Sequence, residues 1–178
     1  MTSIRKNLLV TGRPGIGKTT LIGRVLDALD VDVGGFYTAE ILEDGSRVGF
    51  SIVGLHGDSG VLAHVDHESS FRVGKYGVNP EDLERVGVRS IRDAIERSRL
   101  VVMDEIGRME LCSPAFQEAV GNALDSPKPV LGTLQDRKNV FLDSIRARPD
   151  VEVTRVSAGN RESLVPVLRD RVLELLGE

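Results

Sequence analysis

The 178-residue chain has one cysteine, no tryptophan, two tyrosines and five phenylalanines. The single cysteine, Cys112, excludes an internal disulfide and indicates a reducing compartment. There is no cluster of aromatic side chains among lysines and arginines, as a surface for single-stranded nucleic acid would need. The formal net charge of -4 also argues against a protein held to nucleic acid by a basic face.

Long apolar segments are missing as well. No stretch approaches the ~20 apolar residues of a membrane-spanning helix, and the apolar run in the N-terminal MTSIRKNLLV is too short for a secretory signal. We therefore predict a cytoplasmic protein with no membrane partner. Its length and its 40% of hydrophobic residues are typical of one globular unit, so we predict a single domain over residues 1–178.

Short apolar segments alternate with helical patterns along most of the chain. The apolar segments predict buried strands at residues 7–11, 99–103, 129–134 and 151–156. Helices are predicted over Lys18 to Leu29, after the capping pairs Asn79-Pro80 and Ser113-Pro114, and over residues 164–176. Strands that alternate with helices predict an α/β fold with a mostly parallel sheet flanked by helices.

Residues 34–75 follow a different pattern, in which apolar and polar residues alternate. Asp44-Gly45 and the glycine-rich residues 57–60 are hairpin signals within this segment. We predict an inserted antiparallel hairpin element that extends the sheet or lies beside it.

A glycine-rich segment between the first strand and the first helix fits the Walker A pattern G-x-x-x-x-G-K-[ST] in full. Its glycines let backbone N–H groups turn towards phosphate oxygens at the positive end of the following helix. The ammonium of Lys18 is suited to the β- and γ-phosphates, and the hydroxyl of Thr19 is suited to Mg²⁺. The predicted nucleotide-binding residues here are Gly12, Arg13, Pro14, Gly15, Ile16, Gly17, Lys18, Thr19 and Thr20.

A second motif, LVVMDEIGRME, begins with four apolar residues and reaches Asp104, the expected Walker B aspartate that orders Mg²⁺. Glu105 follows directly, and where the strand ends both carboxylates can face the nucleotide. Glu105 is then suited to orient and deprotonate the attacking water. The alternative is a solvated acid or an ion pair with Arg108. The predicted catalytic residues are Lys18 and Glu105, and the predicted Mg²⁺ ligands are Thr19 and Asp104.

Seven segments together go beyond these two motifs. In chain order they are TGRPGIGKTTL, GGFYTAE, RVGF, VGKYGVN, VVMDEIGRMEL, SPAF and KPVLGT. They closely resemble the thermophilic-type P-loop nucleoside-triphosphatase family, which includes a cancer-related nucleoside-triphosphatase, over essentially the whole chain. The resemblance implies a RecA-like P-loop NTPase fold and Mg²⁺-dependent hydrolysis of ATP, GTP, CTP and UTP to diphosphate and phosphate.

The resemblance also implies a second segment that contacts the nucleotide. Gln135 lies where family members often have a basic or His-containing run, and it is suited to sense the γ-phosphate or to position water. The roles of Gln135, Arg108 and Arg137 stay open at this stage. The second nucleotide-contacting segment that the resemblance implies consists of Val101, Val102, Met103, Asp104, Glu105, Ile106, Gly107 and Arg108.

We interpret the chain as a hydrolase with broad base tolerance, because its motifs address phosphate and no N-K-x-D-type guanine-reading motif is present. A kinase that transfers the γ-phosphate to a nucleotide, nucleoside or other small acceptor is an alternative of the same length and fold. A nucleotide-dependent switch or assembly factor is an alternative of another class. The physiological substrate, protein partners and oligomeric state do not follow from the sequence.

Overall fold

The computed structural model describes residues 4–178, so the first three residues of the N-terminal segment considered above lie outside it. The strands are β1 (Asn7–Thr11), β2 (Val33–Glu43), β3 (Ser46–Gly54), β4 (Ser59–His64), β5 (Arg72–Val73), β6 (Tyr76–Val78), β7 (Leu100–Ile106), β8 (Val130–Leu134) and β9 (Val151–Arg155). The α-helices are α1 (Lys18–Asp27), α2 (Pro80–Asp82), α3 (Arg89–Arg97), α4 (Pro114–Asp125), α5 (Val140–Arg146) and α6 (Arg161–Leu176). None of the described helices is both long and apolar enough to cross a membrane.

The nine described strands form one sheet in the order β5-β6-β4-β3-β2-β7-β8-β1-β9. The strands from β2 to β9 in this order pair in parallel, and those from β5 to β2 pair antiparallel. β2 belongs to both parts, because its first residues pair with β7 and its later residues pair with β3. The predicted parallel sheet with an antiparallel element is confirmed, and the element extends the sheet.

Helices cover the parallel part of the sheet on both faces. One face packs against α3, α4 and α5 through a core that includes Ile91, Phe116 and Leu142. The other face packs against α1 and α6 through Leu21 and Leu168. Since both faces are covered, β1 and β8 are buried at every residue.

Two predicted helix starts are confirmed at the level of hydrogen bonds. The side-chain Oδ1 of Asn79 accepts from the N–H of Asp82 at 3.3 Å, and the Ser113 hydroxyl oxygen accepts from the N–H of Phe116 at 3.1 Å. The segment that begins at Pro80 continues as a π-helical turn at Leu83–Val88 before it becomes α3.

Two predicted boundaries are corrected, and one helix was not predicted. α1 ends at Asp27, two residues earlier than predicted, where the N–H of Ala28 closes the last turn on the Arg24 carbonyl. β7 extends to Ile106 instead of ending at residue 103, so it includes both carboxylates of the second motif. α5 was not predicted, since its seven residues are too few for a clear helical period.

Candidate active site

The glycine-rich loop connects β1 to α1 at the carboxyl end of the parallel strands. Gly15 and Gly17 have φ angles of 76° and 102°, in the left-handed region that favours glycine. A β-carbon on Gly17 would also lie 2.9 Å from Cδ of Arg161. The loop therefore needs glycine here both for its backbone conformation and for the approach of the side chain of Arg161.

The side chain of Lys18 lies along this loop and is only 10% exposed. Its Nζ donates hydrogen bonds to the carbonyl oxygens of Gly12 at 2.9 Å and Arg13 at 3.4 Å. The same Nζ lies 3.9 Å from Oε2 of Glu105. Lys18 thus links the loop to the end of β7, where the carboxylate of Glu105 lies.

An irregularity in the pairing of β7 with β8 brings both carboxylates to the loop. Met103 pairs with Gly132 and Ile106 pairs with Leu134, so β7 advances three residues where β8 advances two. Successive side chains of a regular strand point to opposite faces, whereas an extra residue in one strand redirects them. Asp104 therefore reaches Thr19, and Glu105 reaches Lys18.

Two hydroxyl groups hold the carboxylate of Asp104. The hydroxyl of Thr133 donates to Oδ1 of Asp104 at 2.7 Å, and the hydroxyl of Thr19 donates to the same atom at 3.3 Å. Burial raises the pKa of Asp104 above its ordinary value, while the hydrogen bonds from Thr133 and Thr19 and the charge of Lys18 oppose this rise. A cation at this position would favour the ionised form of the carboxyl.

The donor set at Thr19 and Asp104 fits Mg²⁺. Within residues 4–178, no group of three or more His, Cys, Asp and Glu side chains converges to bind a metal ion. A metal at this edge would therefore take one carboxylate and one hydroxyl from the protein, with phosphate and water oxygens as its other ligands. Mg²⁺ is characteristically bound in this way.

Glu105 is mostly buried, with 28% of its side chain exposed. Burial raises its pKa, the charge of Lys18 lowers it, and the neighbouring Asp104 raises it again. The carboxyl pKa is therefore shifted upwards, towards the range in which a general base works at neutral pH. The predicted alternative of an ion pair between Glu105 and Arg108 is not formed, because Glu105 is paired with Lys18.

The turn after β7 is tied to the end of β8. The backbone N–H of Arg108 donates to Oε1 of Gln135 at 2.8 Å. Among residues 4–178, the guanidinium of Arg108 forms no ion pair or hydrogen bond, and it borders an open cavity of about 300 Å³ lined also by Phe71 and Asn139. Gln135 thus fixes the turn that follows the carboxylate pair.

The other predicted site residues fall into two groups. Arg13, Pro14, Gly15 and Thr20 are exposed at or near the loop and are available to a ligand. The side chains of a second group are buried in the two cores and do not reach the site edge; these are Val101, Val102, Met103 and Ile106. From the second segment, the structure brings Asp104 and Glu105 to the loop.

Sequence reasoning assigned no site role to Thr133 or Glu110, and it left Arg161, which follows the last strand, out of the predicted site. Arg161, at the start of α6, donates from Nη1 to the carbonyl oxygen of Ile16 at 3.2 Å. Thr133 and Arg161 lie at or just after the carboxyl ends of β8 and β9. Polar residues at the ends of parallel strands were the signal for them, since those ends meet at one edge of the sheet.

A glycine-rich phosphate loop between β1 and a helix, and a carboxylate pair at the end of the parallel strand β7, which β8 separates from β1, define a P-loop NTPase. Comparisons with known proteins agree with this class. A family model described as NTPase matches residues 7–168. The chain therefore belongs to this NTPase family, and the predicted enzyme class of nucleoside-triphosphatase is confirmed.

Three relatives illustrate the similarity. Nucleoside-triphosphatase THEP1 of Thermotoga sp. (strain RQ2) is 48% identical over 158 residues, which are 89% of this chain and 90% of the relative. The crystal structure of THEP1 from the hyperthermophile Aquifex aeolicus is 29% identical with a TM-score of 0.83, covering 97% of this chain and 99% of that one. The solution structure of a human cancer-related nucleoside triphosphatase is 36% identical with a TM-score of 0.81, covering 95% and 98%. The fold and family predicted from the sequence are confirmed.

Proposed function

We propose that this protein hydrolyses ATP, GTP, CTP and UTP to the nucleoside diphosphate and phosphate, with Mg²⁺ as cofactor. The main support is the position of the carboxylate of Glu105, 3.9 Å from Nζ of Lys18 and next to the hydroxyl-bound Asp104. A base at this position would lie at the end of the loop where Lys18 would meet the γ-phosphate, which supports the proposal. The names of the relatives support the same reaction.

The loop and its lysine bind the triphosphate. Backbone N–H groups of residues 13–19 and the start of α1 provide a positive lining for the phosphate oxygens. Lys18 is free to turn from the carbonyl oxygens of Gly12 and Arg13 to the β- and γ-phosphates, which are stronger acceptors. Thr19 and Asp104 hold Mg²⁺, which when bound supplies positive charge against the same oxygens.

Glu105 acts on the attacking water. Its carboxylate orients the water and accepts its proton while the water oxygen bonds to the γ-phosphorus. The bond from the γ-phosphorus to the β–γ bridging oxygen breaks, and the nucleoside diphosphate leaves. The positive charge of Lys18 offsets the negative charge that builds up on the transferred group. An upward-shifted pKa makes the carboxylate of Glu105 a stronger base for this step.

Base tolerance follows from where the binding groups lie. The groups described at this edge are suited to bind phosphate oxygens. The guanidinium of Arg161 is hydrogen-bonded to the backbone carbonyl oxygen of Ile16 in the loop. We therefore expect the four nucleotides to be hydrolysed with similar rates.

We also propose that residues 1–178 act as a single cytoplasmic domain, because all described strands share one sheet and the lone Cys112 suits a reducing compartment.

The test is phosphate release from each of the four nucleotides with Mg²⁺, by the wild type and by Glu105→Gln. The glutamine keeps the shape and cannot accept the proton, so kcat should fall about 10²–10³-fold while nucleotide binding is kept. Glu118→Gln is the matched control, because Glu118 is an exposed residue of α4. Unchanged release by Glu105→Gln would exclude the role of Glu105 as base.

The two alternatives have their own outcomes in this test. Nucleotide binding without phosphate release, together with ADP formation that rises when a nucleoside monophosphate is added, would identify a kinase. Release that rises only when a protein partner is added would identify a switch or assembly factor. Either result would replace hydrolysis as the main reaction.

A further inference from the structure

Glu110 is a buried acid to which the mechanism above gives no role. It begins the short 3₁₀ turn Glu110–Cys112 that follows β7, and it is only 4% exposed. Among residues 4–178, no lysine, arginine or histidine forms an ion pair with it. A buried carboxyl without a cationic partner is costly when ionised and is therefore a candidate for a specific role.

The carboxyl of Glu110 belongs to a cluster of three side-chain oxygens around Gly107. A β-carbon on Gly107 would lie 2.9 Å from Oε1 of Glu105, 3.2 Å from Oε2 of Glu110 and 3.3 Å from Oε1 of Gln135. The amide of Gln135 presents its oxygen to the turn, since this atom accepts from the N–H of Arg108 at 2.8 Å. All three oxygens, one of them from the proposed base, thus lie within 3.3 Å of one point in this turn.

The carboxyls of Glu105 and Glu110 repel each other when both are ionised, and a single proton in this cluster removes the repulsion and creates a donor. The oxygen of Gln135 cannot carry that proton. Glu105 must be ionised to accept a proton from water. The remaining position for the proton is the carboxyl of Glu110.

We propose that Glu110, in its protonated form, is a positioning residue that holds the carboxylate of Glu105 in place beside Lys18. This inference rests on the proposed role of Glu105 as base. Protonated Glu110 provides an O–H donor in the cluster of Glu105 and Gln135. Its ionisation places a second negative charge beside Glu105 and removes that donor.

The electrostatic surroundings agree with a neutral Glu110. Burial and the charges of Glu105 and Asp104 together raise the pKa of Glu110 to about 8, against the opposing effect of the N–H groups of Glu110 and Gly107. The thiol of Cys112 on the same turn stays neutral, because burial raises its pKa to about 11. Two further polar side chains lie on elements packed near this turn. On α4, the uncharged amide of Gln117 donates to the carbonyl oxygen of Leu111. On the π-helical turn, Oε1 of Glu84 accepts from the hydroxyl of Ser113.

The sign of the pH dependence follows from this raised pKa. Glu110 is protonated below about pH 8 and loses its proton as the pH rises through that value. The wild-type kcat should therefore fall on the alkaline side, by about tenfold for each further pH unit. The KM for the nucleotide should change much less, because Lys18 and the loop are unaffected.

The experiment compares pH profiles of kcat for the wild type, Glu110→Gln, Glu110→Ala and the exposed control Glu118→Gln. Glutamine mimics the protonated carboxyl and cannot ionise, so Glu110→Gln should remove the alkaline fall. Glu110→Ala removes the donor altogether and should lower kcat about tenfold or more across the profile, with KM changed less than about twofold. Glu118→Gln should follow the wild-type profile.

Two results would overturn the inference. One is an alkaline fall in Glu110→Gln equal to that of the wild type, and the other is equal losses in Glu110→Gln and Glu110→Ala at neutral pH. Should Glu110→Gln fail to fold, infrared difference spectra of the wild type and Glu110→Asp between about pH 6 and about pH 9 test the same point. A carboxylic-acid C=O band that is already absent at pH 6 in the wild type would exclude a protonated Glu110, even in a protein that released no phosphate.

Discussion

The parallel and antiparallel parts of the sheet differ in how their strands are covered. In the parallel part, helices lie on both faces, and β1 and β8 are buried at every residue. In the antiparallel part, only Gly49, Ile52 and Gly54 of β3 are buried, and the π-helical turn packs against β3 and β4. Side chains at the ends of the parallel strands are therefore held by a rigid core, while those of the antiparallel part border solvent.

The proposed chemistry lies in the parallel part alone. Asp104, Thr133 and the loop after β1 meet where the carboxyl ends of the parallel strands lie side by side. Tyr37 pairs with Asp104 in the last parallel pair, and beyond it β2 pairs only with β3. Substitutions at the parallel edge should therefore change activity with little effect on stability, and substitutions in the antiparallel part should do the opposite.

The largest expected effect is that of Lys18→Ala at the parallel edge. Removing the ammonium leaves the charge on the transferred phosphoryl group without its main protein partner, so kcat/KM should fall about 10³-fold or more. The melting temperature should stay within about 2 °C, since Lys18 lies at the edge of the core. Phosphate release and thermal unfolding measure the two quantities.

Lys75→Ala is the matched control in the antiparallel part, where Nζ of Lys75 lies 5.5 Å from the ring centre of Tyr76. This exposed lysine should leave kcat/KM unchanged. A loss of activity in Lys75→Ala comparable with that in Lys18→Ala would contradict the division of the molecule into a catalytic and a packing part.

The next effect in size is a loss of stability in Phe36→Ala, at the point of β2 where the two parts join. Phe36 is fully buried and packs edge-to-face on Phe116 with ring centres 5.7 Å apart. Removing the ring should lower the free energy of unfolding by about 3–5 kcal/mol, as measured by urea denaturation. Phe71→Ala, at a residue 49% exposed, should cost less than about 1 kcal/mol. Equal losses in both variants would mean that the junction is not part of the main core.

The sequence predicts the parallel part better than the antiparallel part, for a physical reason. A strand covered on both faces is a continuous apolar run, and this pattern predicts β1, β7 and β8. β9 was also predicted as a buried strand, but it lies at the edge of the sheet and only its first residue, Val151, is buried. The alternating pattern and hairpin signals of residues 34–75 predict only antiparallel pairing for β2. The structure shows that a β-carbon on Gly35 would lie 1.9 Å from the carbonyl oxygen of Val102, so this glycine allows close parallel pairing with β7.

The residues of the candidate site also divide into those that the sequence predicts and those that it does not. Lys18, Thr19, Asp104 and Glu105 follow from motifs in which residue type and spacing suffice. Thr133 and Glu110 depend on contacts between distant segments, namely the bond to Asp104 and the cluster around Gly107. No local sequence pattern predicts such contacts, although the polar residue at the end of β8 indicates that the site extends to this strand.

A smaller effect is expected for Thr133→Val, which tests how the buried end of β8 supports Asp104. Valine keeps the shape and removes the hydroxyl that donates to Oδ1 at 2.7 Å. The Mg²⁺ concentration for half-maximal phosphate release should rise about 10-fold, because outer groups of this kind orient metal ligands. Thr133→Ser restores the donor and should recover most of the affinity. An unchanged Mg²⁺ requirement in Thr133→Val would exclude Asp104 as a ligand oriented by Thr133.

The smallest effect is expected for Arg47→Ala, in the middle of the antiparallel part. The guanidinium of Arg47 lies 5.1 Å from the ring centre of Phe50, and it donates to Oη of Tyr76 at 3.0 Å and to Oε1 of Glu40 at 2.9 Å. Because these contacts are partly exposed, their loss should lower the free energy of unfolding by only about 0.5–1.5 kcal/mol in urea denaturation.

Arg47→Lys separates charge from shape at this position. Lysine keeps the charge but not the planar group that stacks on Phe50 and bonds to Tyr76, so it should recover less than half of the lost stability. Both variants should keep kcat within about twofold of the wild type, because the proposed catalytic residues Lys18 and Glu105 lie in the parallel part. A fall in kcat of more than about twofold in both variants, measured while they are folded, would show that the antiparallel part takes part in hydrolysis. The contrast between the two parts of the sheet would then be wrong.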